Sequence, residues 1–253
     1  MRLRLTDRLN RRSARSIDSL SLSLMPTANA NTSYGNSCFF EQRIIGNIDV
    51  TFNNRTLLLA TKNPGKVREI RLALEGLPIE VVSALDVEGL PDVEETESTL
   101  DGNARLKAEE IFRRAGLPTL SDDTGLEVVA LGGAPGVKSA RYAGEPSDPA
   151  ANRALLLKEL QGKARREARF RTVMAFRDET GIYAFDGICD GVIESAGRGT
   201  GGFGYDELFR PDGFDRTFAE LDPATKNAIS HRGKALRRFV AFISDHWKTR
   251  ATE

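Results

Sequence analysis

The chain has 253 residues, with 36 basic side chains against 36 acidic ones and a formal net charge of +0 at pH 7. That balance excludes the basic field that duplex nucleic acid demands, and no apolar run approaches the roughly 20 residues that span a bilayer. Cys38 and Cys189 form neither a CxxC nor a paired framework, and with only His231 and His246 beside them they leave no Cys/His zinc set. Such cysteine usage fits a reducing, cytoplasmic compartment.

Residues 1–54 open with "MRLRLTDRLNRRSAR", turn serine-rich and pass through "PTANANTSYGNS", with neither helical nor strand period. The basic start, "SLSLSLM" and "ANA" imitate a targeting peptide, yet the alternation with serine is too polar for a signal core. A disordered or atypical N-terminal extension is expected there. The folded domain is expected over residues 55–247, and a C-terminal tail over 248–253.

"TLLLA" from Thr56 reads as a short buried strand. "KVREIRLALEGL" sets Val67, Ile70, Leu74 and Leu77 on one helical face, and "PIEVVSA" follows as a second strand. "STLDGNARLKAEEIFRRAG" predicts a helix with Ala104, Ala108, Ile111 and Ala115 in a stripe and Gly116 at its cap. "LPTLS" and "LEVVAL" are two strand candidates flanking Asp122-Asp123. Asp148 and Pro149 mark the start of another helix, "SDPAANRALLLKELQG". The run from Ala168 to Ser195 divides at Glu179-Thr180-Gly181 into a hairpin, and "HRGKALRRFVAFI" carries Leu236, Phe239, Val240 and Ile243 on one face of a last helix. Alternating strands and helices with one hairpin predict an α/β protein with a mixed sheet.

Chemistry concentrates in five stretches. "ATKNPGK" joins the first strand to the first helix; amides at a helix N-terminus and the Lys66 charge can hold phosphate, although the Walker spacing is absent. Asn103 and Lys107 lie one turn apart on one helical face. Glu94 and Glu95 sit in the acidic loop "PDVEETEST", and a hard cation takes one or two such carboxylates. Asp122 and Asp123 are either a strand-to-turn cap or a pair whose repulsion a cation or a proton offsets. "GRGTGGFGYDELF" can lay an aromatic ring on a flat ligand, and Lys226, His231 and Arg232 cluster donors at a helix start.

Taken in order, "TKNPGK", "VEETESTLDGNARLKA", "LSDDTGLEVVALGGAPGVKSARYAG", "GTGGFGYD" and "SHRGKAL" resemble the inosine/xanthosine triphosphate pyrophosphatase family, from about Leu57 to Ile243. The resemblance implies an elongated mixed sheet flanked by helices, with two lobes around a cleft. It also implies Mg²⁺-dependent hydrolysis of ITP, dITP or XTP to monophosphate and pyrophosphate, and a homodimer. Thr61, Lys62, Asn63, Pro64, Gly65 and Lys66 match the phosphate-binding start, and Lys107 the second phosphate lysine. Glu94 matches the metal-binding glutamate, and Asp123 the metal ligand and proton acceptor. Thr124, Phe203, Gly204, Tyr205, Asp206, Lys226, His231 and Arg232 match substrate-binding positions. Whether Asp122 or Asp123 takes the proton stays open, because coupled carboxylates titrate as a pair.

Arg232 has donors only, so a 6-keto purine would suit it and adenine's 6-amino group would not. Guanine shares that keto group, and its exclusion needs a second feature. Glu207 stands where the family usually has proline, Thr124 replaces a commoner serine, and Lys62 stands where glycine is frequent. A pyrophosphatase of similar fold acting on pyrimidine or modified nucleotides is the nearest alternative. A nucleotide sensor without turnover is another.

Overall fold

In the computed structural model, which describes residues 55–87 and 89–249, strand β1 (Thr56–Leu59) is buried at every position. That explains an apolar run without alternation. The expected extension over 1–54 and residues 250–253 of the expected tail lie outside the described residues. β1 pairs in parallel with β2 (Glu80–Ser83) and with β3 (Thr119–Val128). Parallel neighbours need crossovers, and helices α1 (Pro64–Ala73) and α2 (Leu100–Ala115) supply them. Beyond β3 the pairing turns antiparallel, to the short β4 (Pro135–Gly136) and to β5 (Glu167–Asp178), then β6 (Gly181–Ile193) and β7 (Phe209–Pro211). The order β2-β1-β3-β5-β6-β7, with β4 on β3, is the expected mixed sheet. Helices α3 (Pro149–Glu159), α4 (Pro223–Ile229) and α5 (His231–Thr249) complete the domain.

Local signals explain the helix boundaries. The Asn63 side chain accepts from the amides of Gly65 and Lys66, Thr99 from Gly102, and Asp148 from Ala150 and Ala151, each answering amides without a helical partner. Gly116 ends α2 at φ 66°, a left-handed conformation that glycine adopts without cost to a side chain. The hairpin turns at Glu179-Thr180, as its glycine signal predicts.

One expectation fails in an informative way. "LPTLS" and "LEVVAL" are not two strands flanking the paired aspartates; β3 is one ten-residue strand running through them. The turn chemistry of Asp-Asp-Thr-Gly is overridden because β5 pairs with β3 along its whole length, from Thr119↔Arg177 to Val128↔Ala168.

The long strands cross two apolar cores. Leu120, Met174 and Phe176 pack with Ile70, Leu236, Phe239 and Ile243 beneath α1 and α5. Leu126, Val128, Phe170 and Ile193 pack with Leu156, Tyr205, Leu208 and Phe218 beside α3. Between these ends the strands are buried yet polar, at Ser121, Asp122, Asp123 and Thr172. α2 covers the opposite face of the sheet through Leu100, Ala104 and Ala108, against Val173 and Ala175.

At the middle of β6, Gly187 lets α5 lie directly on the sheet: a Cβ there would stand 2.0 Å from the His231 carbonyl oxygen and 2.7 Å from the Ala235 nitrogen. Both obstacles are backbone, so neither can rotate away. Gly187→Ala is expected to destabilise the protein by about 3 kcal/mol, the upper end for overpacking. Thermal unfolding should report a fall of about 6–12 °C, and an unchanged midpoint would refute this packing.

Candidate active site

Successive residues of a strand point to opposite faces of a sheet, and β3 applies this to its two carboxylates. Asp122, opposite Met174, turns toward α1 and α5, where Lys66 Nζ lies 3.0 Å and Arg232 Nη2 3.3 Å from its Oδ2. Asp123, opposite Val173, turns toward α2, with Asn103 Nδ2 at 3.3 Å and Lys107 Nζ at 3.4 Å. Lys107 also donates to the Asp122 carbonyl at 2.8 Å, tying α2 to the strand between the two carboxylates.

The two faces give the carboxyls opposite characters. Burial alone would raise the Asp122 carboxyl, but Lys66, Arg232 and Lys107 outweigh it and hold the group well below its ordinary value. At Asp123 burial wins: the group is raised, opposed by Lys107 and assisted by the negative charge of Glu95. Lys66, itself buried, is pushed down, whereas Asp123 and Glu95 overcome burial to raise Lys107.

Of the two glutamates in the acidic loop ahead of α2, the structure brings Glu95 to the cluster and leaves the expected Glu94 outside it. Glu95 accepts from Lys107 Nζ at 2.7 Å and from Arg141 Nη1 at 3.2 Å, while Arg141 Nη2 donates to its backbone carbonyl at 3.3 Å. Glu94 is exposed. The loop has no period that could mark which neighbour faces inward, and the orientation is set by Arg141 and by Asn103, whose Oδ1 accepts from the Glu97 amide at 2.9 Å.

On the other face, the start of α1 meets the glycine-rich segment. Thr61 Oγ1 accepts from the Asn63 amide at 3.2 Å, and Pro64 opens the helix behind its Asn63 cap. Lys62 is drawn to Asp92 on the surface, 2.6 Å away, and does not join the cluster. Phe203 sits so close to Gly65 that a Cβ there would come within 2.5 Å of its ring. The same ring has Lys226 Nζ 5.0 Å and Arg232 Cζ 5.4 Å from its centroid.

A buried ladder of alternating charge links these groups. Asp206 accepts from Lys226 at 2.7 Å, Lys226 reaches Glu69 at 2.7 Å, Glu69 accepts from Arg232 at 2.6 Å, and Arg232 returns to Asp122. Arg232 is 2% exposed and also donates to Thr124 Oγ1 at 3.1 Å. Among the described residues, its bonds to Asp122, Glu69 and Thr124 engage four of its five N–H groups and leave one uncommitted. Asp206 also accepts from the Phe203 amide at 2.8 Å, and Gly204 carries the turn at φ 62°. His231 stacks on Phe170, 4.5 Å between centroids, and burial with Arg232 and Lys226 nearby pushes it well below 6.5, so the ring is neutral at physiological pH. Asp122 Oδ1 and His231 Nδ1 are the buried side-chain atoms without a hydrogen-bond partner among the described residues.

Tyr205 departs from its expected place among substrate contacts. It is buried in the second core and donates its hydroxyl to the Ser139 carbonyl at 2.9 Å, so it anchors the loop. Sequence reasoning missed Glu69, Arg141 and Arg153. Their partners lie far away in the chain, and no spacing rule reaches them.

The Ham1 family profile matches residues 57–242. The chain belongs to the Ham1 family. It is 50% identical over 188 residues to a dITP/XTP pyrophosphatase of Porphyromonas gingivalis, covering 74% of this chain and 96% of that protein. Identity to the dITP/XTP pyrophosphatase of Chlorobaculum tepidum is also 50%, over 72% of this chain and 89% of that one. Among solved structures, a HAM1 protein from Coxiella burnetii superposes with a TM-score of 0.69 at 38% identity, covering 75% of this chain and 98% of that chain.

Asp122→Asn would leave Lys66 and Arg232 facing a neutral group in a buried site, at an expected cost of about 3–5 kcal/mol. Because the folded carboxyl lies below its unfolded 3.8, its contribution is present above that pH and drains away as the pH falls toward the folded value. Denaturant midpoints measured from neutral pH down to about pH 2 should therefore show a flatter acid limb in Asp122→Asn than in wild type. Parallel limbs would refute the assignment.

Proposed function

We propose that this Ham1-family chain hydrolyses aberrant purine nucleoside triphosphates, ITP, dITP and XTP, to the monophosphate and pyrophosphate. The observation that carries the reading is the meeting of Lys66, Lys107 and a raised Asp123 in the polar middle of β3. Relatives of about half identity, named dITP/XTP pyrophosphatases, support it.

The chain's own groups divide the work. Lys66 and Lys107 approach from opposite faces and neutralise charge developing on the phosphate oxygens. Asp123 is the better base of the pair, because Lys66, Arg232 and Lys107 hold Asp122 in its ionised form while burial raises Asp123. Asp122 instead fixes Lys66 and Arg232 in place.

The donor set suits Mg²⁺. Glu95 and Asp123 are carboxylates on either side of the Lys107 ammonium, and no cluster of three or more protein ligands occurs among the described residues. Hard-oxygen sites with one or two carboxylates are the Mg²⁺ pattern, with phosphate and water completing the octahedron. When bound, the ion neutralises triphosphate charge and lowers the pKa of the attacking water. Glu95 and Asp123 would hold it.

Phe203 offers a face to the base. The uncommitted N–H of Arg232 suits a 6-keto acceptor, and a 6-amino group would set donor against donor, a loss of about 1–3 kcal/mol. The family resemblance and the sparse cysteines lead us to place the protein in the cytoplasm as a homodimer.

Pyrophosphate release from ITP, dITP, XTP and ATP, with and without Mg²⁺, tests the reading. Asp123→Asn is expected to lower kcat by about 100-fold or more. ITP should exceed ATP in kcat/KM by about 10-fold or more; equal values would sink the specificity. Glu95→Gln should raise the Mg²⁺ concentration needed for half-maximal rate by about 10-fold, while Glu94→Gln leaves it within about twofold. The reverse order would restore Glu94 as the ligand.

A further inference from the structure

Position 207, where glutamate replaces the family's usual proline, has no part in the mechanism above. Its carboxylate meets Arg153 from α3, with Oε1 2.9 Å from Nη2. The same guanidinium donates through Nη1 to the Gly204 carbonyl at 2.9 Å. One planar fork thus grips the loop both at its left-handed glycine and just beyond Asp206.

The grip has a rigid base. Leu156, one turn further along α3, is fully buried in the core that also holds Tyr205 and Leu208. Asn152, the residue before Arg153, is 3% exposed; it accepts from the Ala143 amide at 2.6 Å and donates to the Ala140 carbonyl at 2.9 Å. Those bonds hold the segment that carries Arg141, which in turn reaches Glu95. Two consecutive side chains of α3 therefore fasten the glutamate-bearing side of the site and the aromatic loop.

We propose that Arg153 is a positioning residue for nucleoside recognition, acting through Gly204 and Glu207 to hold Phe203 and Asp206 where the base binds. The proposal rests on the functional reading above. Phe203 and Asp206 are joined to each other and to Lys226, but Gly204 between them carries no side chain that could stiffen the turn. Beside the Tyr205 anchor, Arg153 adds a restraint on Gly204 itself from outside the loop. A guanidinium is needed for this, because the two acceptors lie on different nitrogens and an ammonium cannot present two parallel donors in a fixed plane. The ion pair is partly exposed, 23% at Arg153 and 37% at Glu207, so salt weakens it while the bond to the carbonyl persists.

The test is steady-state kinetics on ITP at about 0.05 and 0.5 M NaCl, with amide hydrogen exchange of residues 201–208 measured in parallel. Arg153→Met is expected to raise KM by about 3- to 10-fold with kcat within about twofold, and to speed exchange in the loop at an unchanged melting temperature. Glu207→Gln should raise KM by about 2- to 3-fold at the lower salt concentration and by less at the higher, where salt has already weakened the pair. The double variant should match Arg153→Met alone, since both substitutions remove one device. Should Arg153→Met fail to fold, Arg153→Lys keeps the charge without the fork and should show a smaller rise in KM. An unchanged KM, a fall in kcat alone, or additive effects in the double variant would overturn the proposal. A wild-type protein that releases no pyrophosphate would sink the functional reading instead. In that case the exchange measurement still decides the clamp: unchanged exchange in both variants overturns it.

Discussion

The alternation of side chains along one strand is the constraint on which this site depends. Because β3 runs straight through Asp122-Asp123, two adjacent carboxylates that would repel each other in a turn are delivered to opposite faces of a sheet. Each then meets its own cations, Lys66 and Arg232 on the side of α1 and α5, Lys107 on the side of α2. Lys66 and Lys107 act on both carboxyls, but their direct partners differ, and that difference pushes the two titrations apart. A one-residue slip in the pairing of β3 with β5 would exchange the two faces, and ten consecutive register pairs prevent it.

Burial makes the ion-pair ladder demanding. Asp122, Glu69, Asp206, Lys226 and Arg232 are each held with little access to solvent, and every one has at least one partner of opposite charge within 3.3 Å. Removing a single rung uncovers a charge that the interior cannot solvate. The apolar cores at both ends of the long strands supply the stability that such a polar belt does not. Close backbone contact fixes the ladder's geometry: Gly187 brings the first turn of α5, with His231 and Arg232, onto the sheet.

What could be read in the sequence follows the range of the interaction involved. Local rules locate the ends of α1, α2 and α3, since an Asn or Asp cap, a first-turn proline and a left-handed glycine act within a few residues. The clustering of Lys66, Lys107, Asp123, Asp206, Lys226 and Arg232 is legible through the order of motifs, and the structure gathers these residues around one polar belt. Three placements that local rules could not supply share a cause. Asp122-Asp123 reads as a strand end because its turn propensity is local, whereas its strand pairing is made by residues some fifty positions later. Glu94 and Glu95 are interchangeable in a loop without a period, and Arg141 chooses between them from 46 residues away. Tyr205 lies between two ligand-loop residues yet is claimed by the second core and by the Ser139 carbonyl.

The charges of the site also bear on the metal proposed for it. Lys66, Lys107, Arg141, Lys226 and Arg232 are matched one for one by Asp122, Asp123, Glu69, Glu95 and Asp206. A polyanion entering this belt meets no surplus of positive charge, unlike a phosphate site built from unopposed lysines. Were Lys107 to turn from Glu95 and Asp123 to a bound phosphate, the released carboxylates would need a cation of their own. A divalent ion at Glu95 and Asp123 would answer that need at the place from which the ammonium withdraws. Under the proposed function, a metal and a triphosphate would enter as a set, each neutralising the group that the other displaces.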